Sequence, residues 1–428
     1  MSCLFNSYDP YFKQPFGAVR AGQTVHLTLC IPEELGYVDP HLVLTKDRED
    51  PVHYRMNFDG QTPGVNHFVF QLAPTTSGLY FYHFDLYTDF RKIYRTANGE
   101  GELTWVNGLD WQLTVYEPDF KTPDWIKDGT MYQIFPDRFC RLSLPDPTGL
   151  VGNRWVHENW NDQPVWAPDP DGEVRNRDFF GGSLNGITAK LDDLAALGVT
   201  VLYLNPIFES ASNHRYNTAD YLHIDPMLGT EEDFRRLCRE AKERGIRVIL
   251  DGVFNHTGSQ SRYFNADGFY PGAGAAQSTD SPYFNWFSFH PWPTDYDAWW
   301  GIMTLPAVQE NEPDYRDFII RGQDSVVRHW LRAGASGWRL DVADELPDDF
   351  IAEIRTAMEE TAPDSFLLGE VWEDATTKVA YSQRRRYLLG HELHGVMNYP
   401  FRTALIAYLR GGAVSYTHLR AHETTLHL

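Results

Sequence analysis

Three short apolar runs in this chain each end at a carboxylate, and each pair of runs is separated by enough residues for a crossover helix. Val248-Ile249-Leu250 leads into Asp251. Trp338-Arg339-Leu340 leads into Asp341. Phe366-Leu367-Leu368 leads through Gly369 into Glu370. Strands buried on both faces read as near-continuous apolar runs, and parallel neighbours need a dozen or more residues between them. Repeated strand–helix units of this kind close into a parallel barrel. Its strand C-termini share one face, and that face carries the chemistry. The stretch Gly337 to Glu345 is the most informative of the three. Arg339 and Asp341 lie two apart on a strand and point the same way. A guanidinium beside a carboxylate keeps it ionised and oriented, as a carboxylate nucleophile requires. A structural ion pair would look the same at this level.

The alternation extends on both sides of these runs. Met131–Phe135 reads as a first strand, and Cys140–Phe180 as a long loop rich in Pro, Asp and Trp. Leu184, Ile187, Leu191 and Leu194 recur at helical spacing, and Val199–Leu204 is a second strand. Thr230 with Asp233 three residues on predicts a capped helix, with Phe234, Leu237, Cys238 and Ala241 inward. A third strand spans Arg247–Phe254. The insertion 257–313 has no clear period, and so long a loop within a barrel is usually functional. A helix over Tyr315–Ala333, the strand at Gly337, a helix over Pro347–Thr361 and a fifth strand over Ser365–Val371 follow. His394–Tyr399 reads as a sixth strand, and a sixth helix begins at Phe401.

The expected fold is therefore α/β. Residues 119–414 form a (β/α)8-type TIM barrel, incomplete at about six strand–helix units, with an inserted loop domain at 257–313. Residues 1–118 are expected to form an all-β sandwich. They alternate apolar and polar positions, as at Val25, Leu27, Leu29 and Ile31, with turns at Asp59-Gly60, Asn98-Gly99 and Asn107-Gly108. Leu79–Tyr87 should be its central strand. The stretch 415–428 carries three histidines and no matching period. It reads as a foreign tail on a chain cut short, with a metal-binding tail as the alternative.

Charge and composition exclude several partners. A net charge of −22 disfavours nucleic acid and anionic membranes. No run has the length of a membrane span or a signal peptide, which predicts a soluble cytoplasmic protein. Cys3, Cys30, Cys140 and Cys238 are scattered and read as reduced, buried thiols. His256 has no His or Cys partner at metal-ligand spacing, so no metal centre is expected.

Taken together, the motifs resemble glycoside hydrolase family 13, the α-amylase family, in its neopullulanase, cyclomaltodextrinase and amylopullulanase branch. The motifs stand in the family's order. They are Gly198–Pro206, Asn213–Tyr221, Asp251-Gly-Val-Phe-Asn-His256, Gly337–Glu345, Gly369-Glu370-Val-Trp372 and Met397–Pro400. The resemblance implies Asp341 as nucleophile and Glu370 as general acid/base, with Arg339 holding Asp341 ionised. It implies that Asp251, His256 and Tyr216 line the reacting sugar and that Trp372 covers the acceptor side. Asn255, Glu345, Asn398 and Tyr399 are further substrate-binding candidates, and Glu345 reads equally as a solvated cap. Retaining glycosidases need two carboxylates in unequal environments. Glu370, between Leu367-Leu368 and Trp372, is expected to be raised by desolvation.

The N-terminal sandwich resembles the family 34 carbohydrate-binding module. The implied reaction is retaining hydrolysis of α-1,4-glucosidic bonds in maltodextrins, cyclodextrins or pullulan, with α-1,6 bonds as a second linkage. A transglycosylase on the same barrel and a glucan-binding protein without activity remain open alternatives. A homodimer is implied by resemblance alone. Two departures from the family stand out. No His-Asp pair of a fourth region is found. The calcium position reads Gly181-Gly182-Ser183 where relatives often carry Gly-Gly-Asp, and the loop after Asp137-Arg138-Phe139 lacks an Asn/Asp cluster. No cofactor is therefore expected, with calcium binding weakened or lost.

Overall fold

The computed structural model describes residues 3–88, 90–172 and 174–411. The chain forms two compact units. One comprises the residues up to Lys121 together with those from Val371 onward, and the other is Thr122–Glu370. The tail expectation at 415–428 lies outside the described residues.

The first unit contains two antiparallel sheets. In one, Val25–Pro32 lies between Lys13–Gln14 and Val65–Leu72. In the other, Gly78–Leu86 is central, pairing with Pro40–Lys46, Lys92–Arg95 and Trp111–Tyr116. Tyr80, Tyr82, Phe84 and Leu86 are buried on one side of that strand, while Phe81, His83 and Asp85 are half-exposed on the other. The strand is central as expected, with one face fully buried. Phe5, Tyr82, Phe84 and Trp111 form the aromatic centre, with Phe5 and Trp111 ring centroids 4.8 Å apart. The Trp111 indole N–H donates to the Gly99 carbonyl at 2.9 Å, so its polar atom is not stranded.

The second unit carries five parallel strands in chain order. They are Met131–Ile134, Val201–Leu204, Arg247–Gly252, Gly337–Leu340 and Phe366–Gly369. Every residue of the second, fourth and fifth strands is buried, which explains why they read as apolar runs. Gly337 is dictated by close approach, because a Cβ there would sit 2.0 Å from the Phe366 carbonyl oxygen. The helix Glu231–Glu243 begins with the expected capping box, Thr230 and Asp233 each satisfying the other's backbone N–H. Its inward face, Phe234, Leu237, Cys238 and Ala241, is buried as the spacing predicts. Burial of Phe234 and Leu237 contributes about 1.5–3 kcal/mol each.

Two elements depart from expectation. The helix expected over 315–333 is broken. Pro313–Arg316 continues into a wider turn, Asp317–Arg321, and a separate helix runs over Val326–Ala333. The break follows from Gly322, whose N–H closes on the Asp317 carbonyl, and from Ser325, whose hydroxyl donates to the Ile320 carbonyl. A sixth strand over 394–399 is reduced to Gly395–Val396, in the first unit. Asn398 caps the helix Tyr399–Leu409 instead, accepting from the Phe401 N–H.

The four cysteines are free. Cys30 and Cys238 are buried, but Cys3 is exposed and Cys140 half-buried, so the expectation of four buried thiols fails for those two. No helix among the described residues is long and apolar enough to cross a membrane.

Candidate functional site

The strand register explains why one guanidinium gathers three acids. Asp251 and Arg339 are direct neighbours across the third and fourth strands. Arg339 and Asp341 share a face of the fourth. The Glu370 N–H pairs back to the Leu340 carbonyl, fixing where the fifth strand ends. Arg339 Nη1 consequently lies 2.8 Å from Asp251 Oδ1 and 2.7 Å from Asp341 Oδ1, while Nη2 lies 2.8 Å from Glu370 Oε2. All four side chains are buried or nearly so. Regular strand geometry stops at Leu340. Val342 then turns into the left-handed region at φ 39°, uncommon for a β-branched residue, and its N–H donates to Glu370 Oε2 at 2.9 Å. Backbone strain and a carboxylate contact coincide at that residue.

Asp251 is saturated with donors. Tyr203 Oη donates to its Oδ2 at 2.5 Å and Tyr216 Oη at 3.0 Å, while Arg339 occupies Oδ1. Burial and the Asp251 charge raise both tyrosine pKa values, so both hydroxyls remain donors. The chain of contacts continues outward. Asn205 Nδ2 donates to Tyr216 Oη at 3.2 Å, and Gln133 donates to Asn205 at 2.8 Å.

Three carboxylates around one guanidinium are not neutralised. Burial, then the Asp251 charge, pushes the Asp341 carboxyl well above the usual range, against the pull of Arg339. Burial also raises Asp251. Asp251 uses both oxygens as acceptors. Arg339 contacts Asp341 as expected and favours its ionised form, and it is also shared with Asp251 and Glu370. The apolar seat expected for Glu370 is corrected. Its carboxylate meets Arg339 and the Val342 N–H, because the turn at Asp341 brings both over the end of the fifth strand.

His256 is buried and neutral, its pKa lowered to about 4 by burial. Nε2 lies 3.2 Å from the Tyr216 carbonyl, which can only accept. Nδ1 lies 3.0 Å from Asn255 Oδ1, also an acceptor, so the neutral ring donates to only one of the two oxygens it faces. The Trp299 ring stacks on the imidazole, with centroids 5.3 Å apart. Asn255 and Glu345 both bear on Glu310, whose carboxyl is pushed up to about 7 by burial, with Asn255 lowering it and Glu345 raising it. The structure therefore brings together Asp251, Asn255, His256, Tyr216, Arg339, Asp341 and Glu370, with Glu345 beside Glu310. Trp372, Asn398 and Tyr399 fall in the other compact unit.

Sequence reasoning missed Tyr203, Asn205, Gln133, Trp299 and Glu310. Tyr203 carried a signal, because it sits on a strand whose alternation aims it at the same rim. Trp299 and Glu310 lie in the aperiodic insertion and carried none.

The family described as Alpha amylase, catalytic domain, matches residues 133–427. An amylopullulanase of Thermoanaerobacterium saccharolyticum is 37% identical over 451 residues, covering 95% of this chain and 34% of that protein. Neopullulanase 2 of Thermoactinomyces vulgaris is 36% identical over 305 residues, covering 69% of this chain and 46% of that protein. The chain thus spans about a third to a half of the length of these relatives. Among solved structures, a cyclic α-maltosyl-(1→6)-maltose hydrolase of Arthrobacter globiformis superimposes with a TM-score of 0.57. It is 35% identical and covers 71% of this chain and 63% of that one. On the extent of the family match, with the carboxylate-rimmed parallel strands beneath it, this chain belongs to the α-amylase family.

Proposed function

We propose that this chain carries the reaction centre of a retaining α-glucoside hydrolase acting on α-1,4 bonds of maltodextrins, cyclodextrins or pullulan. The observation that carries the reading is the single Arg339 guanidinium in contact with Asp341 and Glu370 at 2.7 and 2.8 Å. One guanidinium cannot span two acids at opposite ends of a barrel, so both face one small volume.

In this reading the Asp341 carboxylate attacks the anomeric carbon while the glycosidic C–O bond breaks. Glu370 gives its proton to the departing oxygen. A glucosyl ester forms on Asp341 with inversion. Water then attacks the same carbon, Glu370 takes a proton from it, and the ester bond breaks with a second inversion. Turnover needs Asp341 ionised and Glu370 protonated. The carboxylates share one guanidinium, so their titration is a property of the group rather than of any one acid. Arg339 then neutralises the acid that lost the proton. Tyr203 and Tyr216 hold Asp251 by hydrogen bonds and direct it at the sugar. Calcium binding at Gly181-Gly182-Ser183 is absent or weakened in this reading.

The same reading extends to the accompanying sandwich as a weak glucan-contacting module. Isothermal titration with maltoheptaose beside a reducing-sugar assay tests the proposal. Binding with release of the α-anomer is expected. Binding without turnover favours the glucan-binding alternative, and release of the β-anomer rules out the double displacement.

A further inference from the structure

Arg141 is held in a cage of main-chain oxygens. Its Nη1 donates to the His157 carbonyl at 2.7 Å and to the Phe180 carbonyl at 3.1 Å, and Nη2 donates to the Glu158 carbonyl at 2.9 Å. Among the described residues, each of these carbonyls accepts from Arg141 alone, and Arg141 has no carboxylate partner. The Trp160 ring lies on one side, 5.6 Å from the guanidinium carbon. Arginine more often meets carboxylates or phosphates through its planar fork. A cation ringed by carbonyls is instead the setting of a bound calcium ion.

The cage lies where the resemblance places calcium, between the loop after Asp137-Arg138-Phe139 and Gly181-Gly182-Ser183. The Ser183 N–H donates to the Cys140 carbonyl at 3.1 Å, so the two segments run side by side. The residues present do not fit the ion. Calcium takes about six to eight oxygens. The Asp137 carboxylate is turned onto the backbone, accepting from the Phe180 and Gly181 N–H groups at 2.9 and 3.0 Å. Asp178 accepts from Asn213 and from the Val165 N–H, and pairs with Arg138 at 3.3 Å. Ser183 caps the helix Leu184–Thr188, its hydroxyl accepting from the Gly186 N–H at 3.1 Å. Among the described residues, no three His, Cys, Asp or Glu side chains converge as a metal site. An ion among the three carbonyls would have to displace the guanidinium.

We propose that Arg141 is a built-in cation standing in calcium's place, tying the 157–158 backbone to Phe180 so that the barrel unit folds without the metal. The tie reaches the candidate site. Asp178–Phe179 pairs with Trp155–Val156, and Asn213 Nδ2 donates to the Asp178 carbonyl at 2.9 Å, on the segment that leads to Tyr216. The inference deepens the calcium reading above and does not depend on the glucoside chemistry.

The test is thermal unfolding of the full chain in EDTA and in millimolar calcium chloride. Wild-type Tm should agree within about 1 °C between the two. Arg141→Ala should lower Tm by about 5 °C in both, because three carbonyls lose their donor. Arg141→Asn combined with Ser183→Asp removes the cation and adds oxygen ligands. That paired variant should gain about 5 °C on adding calcium, or recover its fold there if it is unfolded in EDTA. A calcium-dependent wild-type Tm overturns the proposal and the calcium reading together. An Arg141→Ala chain as stable as wild type, or a paired variant indifferent to calcium, overturns the role of Arg141 and leaves both earlier readings standing.

Discussion

Two buried ionic clusters in the barrel unit are built from the same residue types with opposite balance. In the first, Asp225 sits between two guanidinia, Arg154 Nη1 at 2.9 Å and Arg215 Nε at 3.2 Å, and all three side chains are essentially inaccessible. Both arginines also lie over the Phe179 ring, at 5.3 and 5.4 Å. Burial pushes Asp225 up, but Arg215 and Arg154 together hold it below the usual carboxylate range. In the second cluster, three acids share Arg339, and burial wins at Asp341 and Asp251. Acid matched by base supports the fold. Acid in excess of base leaves burial unopposed at Asp341 and Asp251. In the proposed reading the acid-rich cluster is the reactive one and the balanced cluster supports the fold.

The sharpest way to break that contrast is at Asp341. Asp341→Asn should lower turnover of maltoheptaose by about 10⁴-fold or more, roughly 5.5 kcal/mol, with binding retained, as read from reducing-sugar release and titration. Asp225→Asn should do the reverse. It leaves two buried guanidinia short of a partner and should cost about 3–5 kcal/mol in urea unfolding. Near-wild-type stability in that variant would remove the distinction between the clusters.

The pH dependence of stability sharpens it further. A carboxyl raised in the folded state favours folding while protonated. Its stability is fully present below the unfolded value near 4 and declines as pH rises toward the raised folded value. Asp341→Asn should therefore increase Tm relative to wild type by about 2–4 °C at pH 8 and not at pH 4. His256 has the opposite sign. Its folded value near 4 lies below the unfolded 6.5, so it supports the fold above pH 6.5 and loses that support as pH falls toward 4. His256→Gln should flatten this acid loss by about 1 kcal/mol, measured by denaturation at pH 7 and pH 4.5.

Much of the barrel was legible because its strands are short, apolar and buried on both faces, so that each ended visibly at Asp251, Asp341 or Glu370. The pairing of Arg339 with Asp341 was legible for the same reason, since residues two apart on a strand need no partner strand to meet. Sharing of Arg339 with Asp251 and Glu370 was not, because it depends on register between strands separated by long crossovers. The broken helix around Gly322 was hidden by continuous apolar spacing through Phe318, Ile319, Val326 and Trp330. Trp299 sits in a segment whose order comes from backbone bridges to Thr257 and His256. Those are contacts that no local period encodes.

The central claim is that Asp341 becomes covalently bonded to the sugar. It is tested most directly by mass spectrometry of the Glu370→Gln chain after exposure to α-maltosyl fluoride, whose leaving group needs no acid. A maltosyl ester on the peptide carrying Asp341 is predicted. An adduct on any other side chain, or fluoride release with β-maltose as the first product, would contradict it.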